Sequence, residues 1–365
     1  MTRCWPVLIL VLACGDNNSV TRPDSAPPVD TMDPDGPGPD ANPLAEIQGT
    51  GLCDDPGCQT INPDIIEYTP RFPLYADGAS KRRWMQLPAG TQIDTSNMDA
   101  WKFPVGTKFW KEFAVGPTRV ETRFITKVLE DDAAANAWQF IAYIWNTTQD
   151  GTTVVNAGQQ DVNGTTHDVP SKGNCKDCHE SQPGRVLGFQ AIQLDDNALA
   201  VNLEDLITNG TLTDPPTGGT PGERFQLPTA TVARTALTYL HVNCGTCHNP
   251  TSATHDTVGI ELRLEVATSA TVQTTPAFKT AVKTDADDCD NIDNDVDGVI
   301  DNGCPDQTLI IDGTDYPFVI VPGDPDNSGL LQRMITTGIR RMPKIAVETP
   351  DPDGIAAVTA WINSL

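Results

Sequence analysis

The sequence predicts an α+β fold in which a β-rich N-terminal domain is followed by a mainly α-helical region. Five of the seven tryptophans lie between Trp84 and Trp145, among runs of β-branched and aromatic residues that are separated by Gly and Asp turn signals. After residue 170 the apolar residues instead recur at helical spacing. We therefore expect a Trp-filled antiparallel sheet within residues 51–170 and helices within residues 171–365.

Local patterns predict the individual elements. Residues 119–128 and 138–145 are rich in β-branched and aromatic side chains, which favours strands. Apolar side chains share one face over residues 196–209, which precede Gly210, and over residues 229–241, where Thr229 is the predicted N-cap. The last predicted helix covers residues 352–365 and has Pro352 in its first turn. The basic residues Lys81, Arg82 and Arg83 are interpreted as a solvated turn.

Charge and composition exclude several classes of protein. The chain has 24 Lys and Arg against 49 Asp and Glu, a net charge of −25. Such an acidic surface repels phosphate backbones, so no nucleic-acid partner is expected. A hydrophobic content of 38% leaves enough side chains for a core but does not fit a polytopic membrane protein.

The N-terminus predicts export. Arg3 precedes an apolar run over residues 7–12, which is shorter than the roughly 20 residues needed to cross a bilayer and is typical of a secretory signal. Val11-Leu12-Ala13-Cys14 matches a bacterial lipobox, so residues 1–13 are the predicted signal peptide and Cys14 the lipidated residue. The alternative is an ordinary signal peptide that is cleaved near Ala13.

Residues 14–50 are rich in Pro and Asp and predict a disordered tether between the anchor and the body. We expect an exported protein, lipid-anchored to the membrane and facing the periplasm or the cell surface. The outer membrane is favoured because Gly15 supplies no strong inner-membrane retention signal. In such an oxidising compartment Cys53 and Cys58, with a turn-rich segment between them, are expected to form a local disulfide.

Two Cys-x-x-Cys-His motifs carry the most specific chemistry of the sequence. Their members are Cys175, Cys178 and His179 in the first motif and Cys244, Cys247 and His248 in the second. Two thiols at this spacing can form thioethers to the two vinyl groups of one haem, and the next residue is then placed as the proximal iron ligand. The sequence therefore predicts two covalently bound haem c groups.

Zinc and dithiol redox chemistry are the alternatives to haem. A four-cysteine zinc site would have to join Cys178 and Cys244 across 65 residues, whereas about 15–20 residues are usual. A thioredoxin-like pair explains neither the repeated histidine nor the lack of a βαβ pattern nearby.

The residues around each motif indicate which side chain could be the second axial ligand of the haem iron. The second motif follows a predicted helix, and Met342-Pro343 has the pattern of a class I cytochrome c distal ligand. Residues 229–365 are thus a predicted cytochrome c-like domain, and residues 171–228 a first haem segment. Core packing is the alternative role for Met342. The sixth ligand of the first haem stays open, either an unfilled position or one of His167, His241, Met334, Met85 and Met98.

An acidic insertion over residues 285–306 predicts a calcium loop. Oxygen ligands at alternate positions can converge on one ion, and Gly298 permits the turn. The predicted ligands are Asp293, Asp295, Asp297, Val299 and Asp301. Cys289 and Cys304 are expected to close the loop as a disulfide. The alternative is a solvated acidic loop held by that disulfide.

Several further segments resemble a family of bacterial dihaem c-type cytochromes of undefined physiological role. They are FPLYADGA at 72–79, FPVGTKFWK at 103–111, VETR at 120–123, YIWN at 143–146, LGFQ at 187–190, YLHVNC at 239–244 and Met342-Pro343. The resemblance covers residues 70–365 and implies haem binding and electron transfer. The insertion separately resembles a short acidic metal-binding repeat of secreted bacterial proteins.

Three functions are weighed for such a protein. The favoured one is a lipid-anchored electron carrier between redox partners such as a dehydrogenase and another cytochrome. The second is a haem enzyme, such as a dihaem peroxidase, with an open iron at the first haem. The third is a surface binding protein in which haem is auxiliary. An electron-transfer role is favoured over an enzyme.

Overall fold

The structure is a computed structural model that describes residues 44–283, 309–311, 313–338, 340–345 and 347–365. The described residues belong to one compact unit, Ala41–Leu365. Several predictions lie outside them: the signal peptide, Cys14, most of the tether, the calcium ligands at residues 293–301 and the Cys289–Cys304 disulfide.

A six-stranded antiparallel meander forms the N-terminal part of this unit, as the β-rich prediction expects. The strands pair in chain order. They are β1 (Ile66–Glu67), β2 (Ser80–Gln86), β3 (Lys108–Val115), β4 (Thr118–Lys127), β5 (Trp138–Trp145) and β6 (Thr152–Val155). The predicted strand at 138–145 matches β5, and the one at 119–128 is displaced from β4 by one residue. A second sheet pairs β7 (Leu309–Ile311) with β8 (Thr314–Tyr316).

The tightest turn of the meander joins β3 to β4. Val115 pairs with Thr118, so Gly116 and Pro117 form a two-residue hairpin loop. Gly116 has a φ of 56°, a left-handed conformation that glycine adopts without a steric penalty. A register shift between Phe113 and Ala114 separates this turn from the part of β3 and β4 that lines the candidate site.

The two faces of the sheet pack against different parts of the chain. Trp84, Trp110 and Phe124 are cross-strand neighbours on one face and belong to a cluster that includes Cys53 and Cys58, which form a disulfide. The other face contributes Met85, Phe109, Ile125 and Phe140 to a core that it shares with the C-terminal helices. This alternation is expected for strands buried on both faces.

The prediction of a mainly α-helical, cytochrome c-like region after residue 170 is wrong. The described helices are few and short, and only α4 and α8 reach 13 residues each. They are α1 (Lys172–Glu180), α2 (Ala191–Leu194), α3 (Leu203–Thr208), α4 (Thr231–Asn243), α5 (His255–Val258), α6 (Pro276–Ala281), α7 (Gly329–Ile335) and α8 (Pro352–Ser364). Turns and irregular loops connect them, as around residues 214–222, where three prolines and three glycines occur.

Capping decides where the predicted helices begin. The helix predicted over 196–209 begins only at Leu203, because the Asn202 side chain accepts the N–H groups of Glu204 and Asp205 and so fixes the start there. Thr229 is not an N-cap, since α4 follows Ala230, which has no side-chain cap. The C-terminal helix begins as predicted at Pro352, with the Asp351 side chain as its cap.

Helices α4 and α8 pack against each other and complete the shared core. Leu240 of α4 and Trp361 of α8 are both fully buried. Their apolar faces join Phe109 of the sheet and Phe189 of the segment before α2 in one continuous cluster. Within the described part of the chain, no helix is long and apolar enough to cross a membrane.

Candidate functional site

The first Cys-x-x-Cys-His motif lies on helix α1. Ser171 and Asn174 form a capping box, in which the Ser171 hydroxyl accepts the Asn174 N–H and the Asn174 side chain accepts the Ser171 N–H. Cys175 and Cys178 are therefore one helical turn apart, on the same side of a helix whose start is fixed.

The second motif begins where α4 ends. Cys244 is the C-cap, and its carbonyl accepts the N–H groups of Cys247 and His248 at 3.0 and 2.9 Å. A Cβ at Gly245 would lie 2.6 Å from the His241 carbonyl oxygen, so this position of the motif accepts only glycine. The chain thus folds tightly over the motif.

Both motifs line one cavity of about 510 Å³. This volume lies within the range of roughly 300–1,000 Å³ that is usual for small-molecule and cofactor sites. The predicted site residues that line it are Cys175, Cys178, His179, Cys244, Cys247, His248 and Met342. An interaction between the thiols of Cys178 and Cys247 raises the pKa of the first and lowers that of the second, so the two motifs meet inside the cavity.

His179 is held in one orientation and one tautomer. Its Nδ1 lies 2.7 Å from the Arg185 carbonyl oxygen, and because a carbonyl only accepts, Nδ1 carries the proton and Nε2 has a free lone pair. Burial lowers the pKa of His179 to about 4, so the ring is neutral at pH 7. A neutral imidazole that donates Nδ1–H to a backbone carbonyl is the usual arrangement of a metal-ligating histidine.

His248 has an unsatisfied nitrogen. Its Nδ1 is buried and has no hydrogen-bond partner among the described residues. Burial, together with the charges of Lys344 and His255, lowers its pKa to about 4. A neutral imidazole whose buried nitrogen has no partner among the described residues fits a site that holds a further group.

The structure narrows the residues that could serve as distal ligands. Met342 lines the cavity beside His248, and His167 and Met334 also line it. His241 lines a separate cavity of about 30 Å³, and its Nδ1 accepts the Leu264 N–H at 3.0 Å. Met85 and Met98 belong to the apolar core and do not line the large cavity. Of the five positions left open for the first haem, His167 and Met334 remain.

The first thiol of each motif does not have the properties of a nucleophilic cysteine, which needs a lowered pKa because the thiolate is the reactive form. Burial raises the pKa of Cys175 to about 11 and that of Cys244 to about 12. The second thiol differs at Cys247, whose pKa is lowered by its interaction with Cys178. Across the described residues, no group of three or more His, Cys, Asp or Glu side chains is arranged to hold a metal ion.

A row of cations on the sheet was missed by the sequence analysis. Arg83 of β2 pairs directly with Lys111 of β3, which in turn pairs with Arg123 of β4. We call Arg83, Lys111 and Arg123 the cation row, and all three line the cavity. Arg83 is only 5% exposed, so the interpretation of residues 81–83 as a solvated turn is wrong. In the sequence, Arg83 and Lys111 each stand next to a tryptophan, Trp84 and Trp110, so they lie on the opposite face of the strand from it. The three side chains of the row come together only when the strands pair.

A buried acid–base cluster lies at the end of this row. Glu121 is fully buried and accepts two hydrogen bonds from Arg123, at 2.6 and 2.8 Å, and one from His167 Nε2 at 2.8 Å. Burial opposes ionisation of Glu121, but Arg123 and His167 together hold its pKa below the usual value. Glu121 is therefore a buried carboxylate that fixes both neighbours in place.

Comparisons with known proteins add no further assignment. No protein-family model, no curated protein and no solved structure matches the chain. Function is therefore inferred from the residues that line the cavity and from their contacts.

Proposed function

We propose that the protein is a dihaem c-type cytochrome that carries electrons outside the cytoplasm. One haem is attached at Cys175 and Cys178 and the other at Cys244 and Cys247. The observation that carries the proposal is that both Cys-x-x-Cys-His motifs line one cavity, each with a half-buried histidine whose pKa is lowered by desolvation. Two unrelated metal or redox motifs would have no reason to converge in this way.

The chain's own residues would bind the haem iron, orient the iron-binding histidine and exclude water from the cavity. His179 and His248 are the proximal ligands, and the Arg185 carbonyl orients the first of them. Met342 is the proposed distal ligand at the second site, and His167 or Met334 at the first. Haem c supplies one-electron oxidation and reduction. The apolar wall, which includes Phe109 and Val186, keeps bulk water from the half-buried imidazoles.

The remaining parts of the proposal concern partners and location. The partners are redox proteins, either a dehydrogenase or another cytochrome, and the chain is anchored by a lipid on Cys14. The N-terminal apolar run and lipobox support this location, and the acidic residues at 293–301 support a bound Ca²⁺. The net charge of −25 favours partners with a basic docking surface.

A haem enzyme is the second candidate, and one observation favours it. The Glu121–His167 pair is buried, and His167 lines the same cavity as the first motif. A histidine held by a carboxylate can move a proton to or from a bound small molecule if no side chain completes the iron coordination. In a carrier, by contrast, the same contact would only position His167.

Titration of the reduced protein with carbon monoxide separates the two candidates. The protein is produced with its haem-attachment machinery and followed optically. Two haems that do not bind the gas support the carrier. One equivalent bound per chain, lost in the Cys175→Ser/Cys178→Ser variant but kept in Cys244→Ser/Cys247→Ser, supports the enzyme and overturns the carrier. A protein without any haem band contradicts both candidates.

A further inference from the structure

The cation row is unfavourable in the protein alone. Arg83 and Lys111 are directly opposite each other on β2 and β3, and Lys111 and Arg123 on β3 and β4, so the three side chains share one face. Like charges directly opposite each other destabilise a sheet, and more so where water is excluded. Burial and the neighbouring Arg83, Arg123 and Lys81 hold the pKa of Lys111 well below its usual value.

Protein carboxylates neutralise only one end of the row. Glu121 pairs with Arg123. Neither Arg83 nor Lys111 makes an ion pair with a residue in the described part of the chain. The Lys111 ammonium lies 4.8 Å from the centroid of the Phe113 ring, and the charge of Glu121 also acts on it. The buried Arg83 and the half-buried Lys111 therefore face the cavity without an ion-pair partner among the described residues.

The whole cavity has the opposite charge balance to the chain. Its described lining carries five cationic side chains and a single carboxylate, Asp177, whereas the chain has a net charge of −25. The cations are Arg83, Lys111, Arg123, Arg333 and Lys344. Such a concentration of positive charge inside an acidic protein indicates that the occupant of the cavity is an anion.

We infer that the cation row is a carboxylate-binding site, and that the carboxylates it holds are the propionates of the haem attached at Cys175 and Cys178. This inference rests on the proposed function. The first motif is the nearer one, since the His179 ring lies 5.1 Å from the ring of Phe140 on β5, the strand beside β4. Arg123 also interacts electrostatically with Cys175 and Cys178. An arginine such as Arg83 presents a planar set of N–H groups that matches a carboxylate, and Lys111 adds a point charge.

The row then has a measurable effect on reduction. A cation beside a haem favours the reduced form, which carries one positive charge less, so it raises the midpoint potential. Removing the charge of Arg83 or Lys111 should lower the potential of one haem and leave the other almost unchanged. The row would thus separate the potentials of two haems that lie in one cavity.

The test is spectroelectrochemical titration of the haem-loaded Arg83→Gln and Lys111→Gln variants. Arg82→Gln is the matched control, because Arg82 directly precedes Arg83 in β2. It lies on the opposite face of the sheet from the cation row and pairs with the exposed Glu67. We expect a lower midpoint potential for one haem in each cavity variant and no shift in the control. Unchanged potentials in both cavity variants overturn the inference. The two variants are made separately, so that loss of folding in one leaves the other to decide.

A second arm distinguishes the propionates from a free anion. Wild-type protein is titrated with acetate at constant ionic strength while both potentials are followed. If propionates already occupy the row, added acetate should leave both midpoint potentials unchanged, and this result supports the inference. A fall in one potential that is absent from Lys111→Gln shows a free-anion site and overturns it. Haem content distinguishes failure of this inference from failure of the proposed function. Chains without covalent haem would refute the proposed function. Chains with two haems whose potentials do not shift in the variants would refute only the role of the cation row.

Discussion

The thiols of Cys178 and Cys247, one from each Cys-x-x-Cys-His motif, are neighbours inside one cavity, where their interaction raises the pKa of Cys178 and lowers that of Cys247. The motifs lie far apart in the sequence and on different elements, one on α1 and the other after α4. The contact has a consequence for attachment: each thiol can react either with haem or with its neighbour from the other motif.

Oxidation of haem-free protein should therefore crosslink the two motifs. Protein made without haem attachment and treated with oxidised glutathione is expected to form a Cys178–Cys247 disulfide, while glutathione is reduced to two thiols. Peptide mapping checks the pairing, and Cys178→Ser should abolish it whereas Cys175→Ser should not. Disulfides found only within each motif would show that the two thiols are not in contact.

Loss of the buried Glu121 charge should destabilise the fold strongly. Glu121→Gln leaves Arg123 and His167 without their shared carboxylate, and breaking a buried ion pair costs about 3–5 kcal/mol. The control is Glu67→Gln, which removes the exposed pair with Arg82 and is expected to cost about 0–1 kcal/mol. Denaturant unfolding of the haem-loaded protein gives both values. Equal losses in the two variants would mean that Glu121 does not hold this end of the sheet.

The α4–α8 contact should reject even one methyl group. A Cβ at Gly354 would overlap the ring of Tyr239, so Gly354→Ala forces the helices apart and is expected to cost about 1–3 kcal/mol. Gly173 provides the control: in α1 an added Cβ makes an ordinary contact with the Ser171 hydroxyl at 3.6 Å, and alanine favours the helix. Gly173→Ala should therefore be neutral or slightly stabilising. A Gly354→Ala protein as stable as wild type would contradict the close approach of the two helices.

His241 should make stability fall at acid pH. Burial, followed by the charge of Arg263, lowers its pKa from about 6.5 to about 3. Below pH 6.5 the unfolded chain therefore binds a proton that the folded chain does not, and stability falls by roughly 1.4 kcal/mol per pH unit until pH 3. His241→Asn can still accept the Leu264 N–H but does not titrate. Denaturation midpoints between pH 7 and 4 should show a shallower decline for the variant, and identical slopes would contradict the buried neutral ring.

Local sequence patterns predict single elements of this chain better than its total helix content. The strand at 138–145 and the helix from Pro352 are recovered, because the β-branched and aromatic side chains of the first and the apolar face of the second lie within one segment. The helix ends depend on which side chain caps the backbone, and Asn202 shortens the helix that the apolar pattern would begin at residue 196. A helical domain extrapolated from such patterns therefore overestimates the helix content after residue 170.

Some features of the candidate site can be predicted from short segments of the sequence, and others depend on contacts between distant segments. Two thiols and a histidine within five residues form a local motif, so their chemistry can be predicted from spacing alone. The common cavity depends on how α1 packs against the sheet and α4. The pairing of Arg83, Lys111 and Arg123 depends on the register of three strands, which no short segment contains.

Covalent haem content tests the central claim most directly. The mature protein, made in a host that attaches haem c, is measured by pyridine haemochrome absorbance and by intact mass. We expect two haems per chain that resist acid extraction, and one haem in each of the Cys175→Ser/Cys178→Ser and Cys244→Ser/Cys247→Ser variants. A folded wild-type protein that carries no covalent haem would contradict the account.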